Sequence, residues 1–296
     1  MDIVLSTHGL TKHYGRIRAV DHLDLEIKRG SVFGILGPNG SGKTTTLGMI
    51  LDVINITSGS YSWFGTPPSK EQRRKIGAIL ETPIFYPYLS GWRNLEIVCK
   101  IKGVELKKID EVIEQVRLSE RKDDKFKTYS LGMKQRLSIA SALLSDPEVM
   151  ILDEPTNGLD PQGIADIRQL IIEIAQANKT IVLASHLLDE VQKVCTEFAV
   201  LKKGQLIHTG PVSDVSKGDT VVEVMASQPL DDLLSKCGLV YSVKKNLRKY
   251  EVKLETDKGP EDLNRYLYDH GIVVSHLVAQ QRTLEKQFLD ILKESE

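Results

Sequence analysis

The segment Gly37-Pro38-Asn39-Gly40-Ser41-Gly42-Lys43-Thr44 constrains the fold more than any other, because it joins two stretches of different periodicity. Upstream, Ser31-Val32-Phe33-Gly34-Ile35-Leu36 reads as a buried strand, and from Gly42 onward the chain reads as a helix. The run satisfies GxxxxGK[ST] in the strand-turn-helix context that gives this motif its meaning. Glycines let consecutive backbone N–H groups turn inward around phosphate oxygens, and the following helix points its positive end at the same anion. Lys43 would then reach the β- and γ-phosphates of a nucleotide and Thr44 would hold Mg²⁺. Read as local structure alone, the same residues make a glycine-rich turn with a surface lysine.

Two more buried runs end in polar residues, as strands do where open α/β sheets build their sites. Val149-Met150-Ile151-Leu152 delivers Asp153 and Glu154 to one strand end, and Thr180-Ile181-Val182-Leu183-Ala184 delivers Ser185 and His186 to another. In phosphoryl transfer the protein mainly positions groups and stabilises charge, so Asp153 is expected near Mg²⁺ and Glu154 on the attacking water. From about Leu89 to Ala142 the pattern is mostly helical, with turns at Gly103 and Ser119, which predicts a helical lobe inserted in the fold. Val200 to Gly210 predicts a hairpin turning at Lys203-Gly204. Beyond a joint at Ser216-Lys217-Gly218-Asp219 the order strand, helix, strand pair, helix, strand predicts a small ferredoxin-like α+β module, closed by a last helix.

With the phosphate loop and the paired carboxylates in place, five further segments make the first 215 or so residues resemble an ABC transporter nucleotide-binding domain. Tyr14, in Lys12-His13-Tyr14-Gly15, is similar to the family's aromatic that stacks on adenine. Ser130-Leu131-Gly132-Met133-Lys134-Gln135-Arg136 resembles the LSGGQ signature, with Leu131 in place of a glycine and Met133 in place of the glutamine. Asn157-Gly158-Leu159-Asp160 resembles the D-loop, and His186 the switch histidine. Where the family carries a glutamine that links the metal site to the membrane partner, this chain has Glu81, and Leu80-Glu81-Thr82-Pro83 resembles the ATPases of lantibiotic-immunity and bacitracin-resistance exporters.

The resemblance implies a P-loop ABC-type ATPase domain with an inserted helical lobe over residues 1–215, and the small C-terminal α+β domain over 216–296. It implies ATP and Mg²⁺ bound by Tyr14, Gly37 to Thr45, Glu81 and Asp153, with Thr44, Glu81 and Asp153 on the metal side and Lys43, Glu154 and His186 in catalysis. Ser130, Gly132 and Asp160 would complete the site of a second copy, so the expected partners are an ATP-sandwiched homodimer and an integral membrane permease.

Composition narrows the alternatives. Lys and Arg total 39 against 40 Asp and Glu, so no global basic field favours nucleic acid. No stretch approaches the roughly 20 apolar residues of a membrane span, and the first residues lack a signal-like pattern, so the expected place is peripheral, on the cytoplasmic face of the membrane. Cys99, Cys195 and Cys237 are spaced as reduced thiols rather than a disulfide or zinc set, and the basic tip Lys244, Lys245, Arg248 and Lys249 reads as a solvated loop. A non-transport ABC-type ATPase and a module that holds ATP without cleaving it stay open as alternatives; the first usually carries two ATPase units or long insertions, and Glu154 and His186 argue against the second.

Overall fold

A computed structural model of the chain describes residues 2–80, 84–213, 221–246, 249–255 and 258–280. The chain divides into two compact units, Met1–Gly210 and Pro211–Glu296. The expected joint at 216–219, the tip residue Arg248, the final helix and Glu81 all lie outside the described residues.

The first unit runs β1 (Ile3–Tyr14), β2 (Ile17–Lys28), β3 (Val32–Leu36), α1 (Lys43–Ile50), β4 (Ser58–Trp63), α2 (Lys70–Arg73) and β5 (Ile76–Ile79). It continues with α3 (Gly91–Lys102), α4 (Lys108–Gln115), α5 (Leu131–Leu143), β6 (Val149–Asp153), α6 (Pro161–Gln176), β7 (Thr180–Ser185), α7 (Leu188–Val194), β8 (Glu197–Lys202) and β9 (Gln205–Pro211).

Strands β3, β6 and β7 are buried at every position, which is the signature of parallel strands covered on both faces. They lie together in a six-stranded sheet ordered β5-β6-β7-β3-β8-β9. The pairs β5/β6, β6/β7, β7/β3 and β3/β8 are parallel. Leu36 pairs with Ser185 and Asp153 with Ala184, so the three site-bearing strands end at one level. Strand β2 instead alternates buried Leu23, Leu25 and Ile27 with exposed Asp24 and Glu26, and forms an antiparallel sheet ordered β2-β1-β4.

One core joins the two sheets through α1: Leu5, Leu10, Leu23, Ile27 and Trp63 pack with Phe33, Ile35, Leu47, Met49, Ile151 and Val182. Full burial of each such side chain is worth about 1.5–3 kcal/mol. Trp63 Nε1 also donates to Ile50 O (2.7 Å), which satisfies a carbonyl at the end of α1. The helical stretch forms as expected in α3, α4 and α5, with Gly103 at φ 67° closing α3. The hairpin turns at Lys203 and Gly204, both at positive φ (49° and 83°), as a two-residue hairpin turn requires.

The second unit runs β10 (Val221–Ala226), α8 (Asp231–Ser235), β11 (Val240–Asn246), β12 (Lys249–Leu254), α9 (Pro260–Asp269) and β13 (Val274–Gln280). Its antiparallel sheet is ordered β11-β12-β10-β13, the ferredoxin-like arrangement in which the first and third strands are central. Val222, Val224, Val252 and Leu254 meet Leu234, Leu263 and Leu267 in a separate core. Tyr250 is buried there, its Oη accepting from Leu230 N–H (3.1 Å) and donating to Asp231 (2.7 Å). All three cysteines are free and buried, and burial pushes each thiol above its ordinary range.

Candidate functional site: a nucleotide cavity and a separate signature cavity

The loop between β3 and α1 turns tightly because two of its glycines leave no room for a side chain. A Cβ on Gly37 would fall 2.4 Å from Leu201 O, and one on Gly42 would fall 2.5 Å from Ala19 O, with Gly42 at φ 106°. Gly37, Pro38 and Ser41 form the inner side of the turn: Ser41 N–H donates to Pro38 O, and Gly204 N–H donates to Ser41 O. Lys43, only 6% exposed, donates from Nζ to Gly37 O (2.8 Å) and Pro38 O (3.3 Å).

Carboxylates from β6 stand opposite. Asp153 is 3% exposed and accepts a hydrogen bond from Thr44 Oγ1 (2.7 Å). Glu154 lies one residue past the strand in a left-handed conformation, φ 47°, a strained state for a residue with a Cβ. The bond from Glu154 N–H to Ala184 O (2.9 Å) and that from Asn157 N–H to Glu154 O (3.1 Å) hold it there. Its carboxylate spans two cationic or donor groups, with Oε1 3.3 Å from Lys43 Nζ and Oε2 2.8 Å from His186 Nδ1. Behind them Glu190, buried, contacts Ser185 Oγ (3.3 Å), and burial pushes its carboxyl up.

Lys43, Thr44 and Glu154 of this set line a cavity of about 560 Å³ together with Asn39, Gly40, Gly42, Thr45, Tyr14 and Ile17, whereas Asp153 and His186 stand behind it, bonded to Thr44 and Glu154. Tyr14 and Ile17 are direct cross-strand partners of the β1–β2 hairpin, and Tyr14 is 48% exposed with Lys12 Nζ 4.9 Å above its ring. Arg18, Ala19 and Lys203 line the same cavity and were not singled out from the sequence. Their signal is weak there because each belongs to a segment far from the phosphate loop. An adenine-like ring on Tyr14 and a polyphosphate along the loop are what such a cavity accepts. For a metal, Thr44 and Asp153 offer two oxygen donors already in contact, the hard-ligand chemistry that suits Mg²⁺ held jointly with phosphate oxygens.

Ser130, Gly132 and Asp160 are not part of that cavity. They line a second one, of about 370 Å³, with Leu131, Met133 and Gly158, and the two cavities share no lining residue. Ser130 caps α5, its Oγ accepting from Met133 N–H (3.3 Å), and Asp160 caps α6, its Oδ1 accepting from Gly163 N–H (2.8 Å). Leu131, the residue that replaces a signature glycine, packs against the D-loop: a Cβ on Gly158 would lie 3.3 Å from Leu131 Cδ2. Arg136 of α5 and Asp166 of α6 pair at 2.6 Å across the cavity wall. Tyr129, buried, donates to Arg121 O (2.7 Å) and fixes the turn that leads into Ser130.

The ABC transporter family profile matches residues 20–157. The chain is 38% identical to an uncharacterised ABC transporter ATP-binding protein, YhcH, of Bacillus subtilis over 100% of this chain and 98% of the relative. It is 38% identical to the bacitracin transport ATP-binding protein BcrA of Bacillus licheniformis over 99% of this chain and 98% of that one. With the lantibiotic transport ATP-binding protein SrtF of Streptococcus pyogenes the identity is 37%, over 69% and 89% of the two chains. Among solved structures, CbiO1 of Clostridium perfringens, part of the ABC transporter complex CbiONQ, superposes with TM-score 0.65 at 29% identity, covering 73% of this chain and 91% of the other. The ATP-binding cassette MJ0796, a dimer in a post-hydrolysis state bound to ADP and Pi, gives TM-score 0.63 at 26% identity over 70% and 98%. The parallel sheet, the phosphate loop on α1, the carboxylates on β6 and this likeness over the whole length converge: the chain belongs to the ABC transporter family, as an ATP-binding subunit.

Proposed function

We propose that the chain hydrolyses ATP with Mg²⁺ to power a separate membrane permease, and that the permease exports a peptide antibiotic or a similar amphipathic compound. The observation that carries hydrolysis is Glu154, held in a strained backbone state with one carboxylate oxygen on His186 and the other near Lys43, at the wall of the phosphate cavity. A carboxylate so placed accepts the proton of an attacking water, and His186 fixes its orientation. Lys43 and the loop amides hold the phosphates, Thr44 and Asp153 would hold Mg²⁺, and Tyr14 would stack on adenine. Mg²⁺, when bound, would supply positive charge that offsets the charge of the phosphates.

Dimerisation is supported by the separation of the two cavities, since Ser130, Gly132 and Asp160 serve a phosphate only if a second copy presents one. Among the described residues no helix is long and apolar enough to cross a membrane, which agrees with a peripheral subunit borne by a permease. The substrate reading rests on the relatives named for bacitracin and lantibiotic transport. Phosphate release from purified wild type and Glu154→Gln, with Mg-ATP, tests the core of the proposal. Turnover in the first and its loss in the second is the expected result. Equal turnover in both would remove Glu154 from the role of base.

A further inference from the structure

Two cations line the nucleotide cavity that the phosphate loop does not supply: Arg18, on β2, and Lys203, in the turn between β8 and β9. Backbone bonds place them. Asp21 N–H donates to Gly204 O (2.8 Å) and Gly204 N–H donates to Ser41 O (3.0 Å), so the turn is bonded both to β2 and to the phosphate loop. A Cβ on Gly204 would fall 2.9 Å from the carbonyl oxygens of Arg18 and Ala19, which keeps the Lys203-Gly204 register fixed. Arg18 lies 3.4 Å from Asp21, whose carboxyl is held below the usual carboxylate range by hydrogen bonds from His22 and Gln205 and by Arg18. Lys203 is exposed and, among the described residues, has no acidic partner.

The neighbours to which these cations are bonded tell which part of a nucleotide they meet. In the ATP-binding reading Tyr14, with its cross-strand partner Ile17, takes the base and Glu154 faces the reacting phosphate, and all three line the cavity. Arg18 follows Ile17 on β2, and the Ala19 carbonyl closes on Gly42, which sets this stretch against the first turn of α1. Lys203 is held beside the same turn through its neighbour Gly204, whose N–H donates to Ser41 O (3.0 Å) and whose Cα lies 3.5 Å from where a Cβ on Gly42 would fall. We propose that Lys203, assisted by Arg18, is a second cationic contact for the nucleotide, directed at its α- and β-phosphates. The inference rests on the ATP-binding reading and deepens it: Lys43 and the loop act on the phosphates nearest the chemistry, whereas Lys203 gives the diphosphate and the triphosphate the same gain and so helps retain the product.

The test is equilibrium binding of fluorescent ADP and ATP analogues to the full chain, for wild type, Lys203→Gln, Lys203→Arg and Arg18→Gln, with Lys43→Ala as reference. Lys203→Gln should weaken both nucleotides by one factor, about three- to tenfold at low salt, the size of one charge-assisted contact at an exposed site. Lys203→Arg should restore affinity, which a turn damaged by substitution would not do. The gap between wild type and Lys203→Gln should narrow as salt rises. Arg18→Gln should have the smaller effect, because Asp21 already offsets its charge. Wild-type binding of both nucleotides by Lys203→Gln would overturn the proposal while leaving the ATP-binding reading intact. A loss confined to ATP would also overturn it, by placing the contact on the γ-phosphate. Failure of the wild type to bind either nucleotide would remove the ATP-binding reading and the proposal together.

Discussion

The two cavities of the first unit are made of the same kind of part, a helix N-terminus reached by a short turn, and they differ in what surrounds it. At α1 the helix starts at a glycine with no capping side chain, a buried lysine crosses the loop, and Glu154 lines the cavity with Asp153 bonded to Thr44 beside it. At α5 and α6 one N–H of the first turn, that of Met133 and of Gly163, is already taken by the capping side chains of Ser130 and Asp160, and among the described lining residues the one arginine, Arg136, is paired with Asp166. A helix end with free N–H groups and a buried cation holds an anion by itself. A helix end capped by its own side chains, with its nearby cation already offset, adds to an anion that something else holds. The comparison supports the proposal in which the first cavity binds the nucleotide and the second completes a partner's site.

Lys43→Ala should break the first cavity most severely. Removing a buried cation that faces phosphate should weaken nucleotide binding at least about a hundredfold, close to 3 kcal/mol, measured by nucleotide titration. Binding within tenfold of wild type would undo the assignment. Glu154→Gln should keep binding and lower phosphate release by about 10²–10⁴-fold, the range of a general base. In the same variant Mg-ATP should shift the chain to a dimer in size-exclusion chromatography, and a strict monomer at micromolar concentration would count against completion in trans.

Ser130→Ala sharpens the contrast, because it removes the cap of α5 without touching the first cavity. About 1 kcal/mol of local helix stability should be lost. Hydrolysis should fall while affinity of the dilute chain for ATP stays at the wild-type value, and a parallel fall in affinity would merge the two cavities into one site. Leu131→Gly restores the family's residue and removes the contact with Gly158. Apart from about 1 kcal/mol of helix propensity, it should change hydrolysis less than Ser130→Ala does, as steady-state rates would show. Glu81→Gln should have the smallest effect on rate, raising the Mg²⁺ needed for half-maximal hydrolysis, since an amide oxygen is a weaker ligand than a carboxylate. Superimposed Mg²⁺ titrations would remove Glu81 from the metal side.

Legibility in the sequence followed locality. The strand ends Leu36, Asp153 and Ser185 were readable because a fully buried parallel strand is an unbroken apolar run, and polar residues mark where it stops. The hairpin at Lys203-Gly204 was readable from its turn chemistry, and the βαββαβ order of the second unit from its alternating periods. The antiparallel sheet β2-β1-β4 was not, because β4 (Ser58–Trp63) is short, carries only Tyr61 and Trp63 as hydrophobic residues, and pairs with β1 some fifty residues upstream. The helix expected after the first strand of this module is short, Asp231–Ser235, because the chain turns between Cys237 and Val240, Val240 N–H donating to Cys237 O (3.0 Å), to enter β11.

By itself the sequence determined the chemistry on offer: a phosphate loop needs glycine where the backbone must approach an anion, lysine for charge and a threonine or serine hydroxyl for a metal, and those residue types stand together in one short run. Only the tertiary structure decided which groups share a site. It brought Lys203 and Arg18 to the nucleotide cavity through backbone bonds to Asp21 and Ser41, and it kept Ser130 and Asp160 out of it. Contacts of that kind are set by the order of strands in a sheet and by where a turn is bonded, quantities with no local trace in the residues that end up as neighbours.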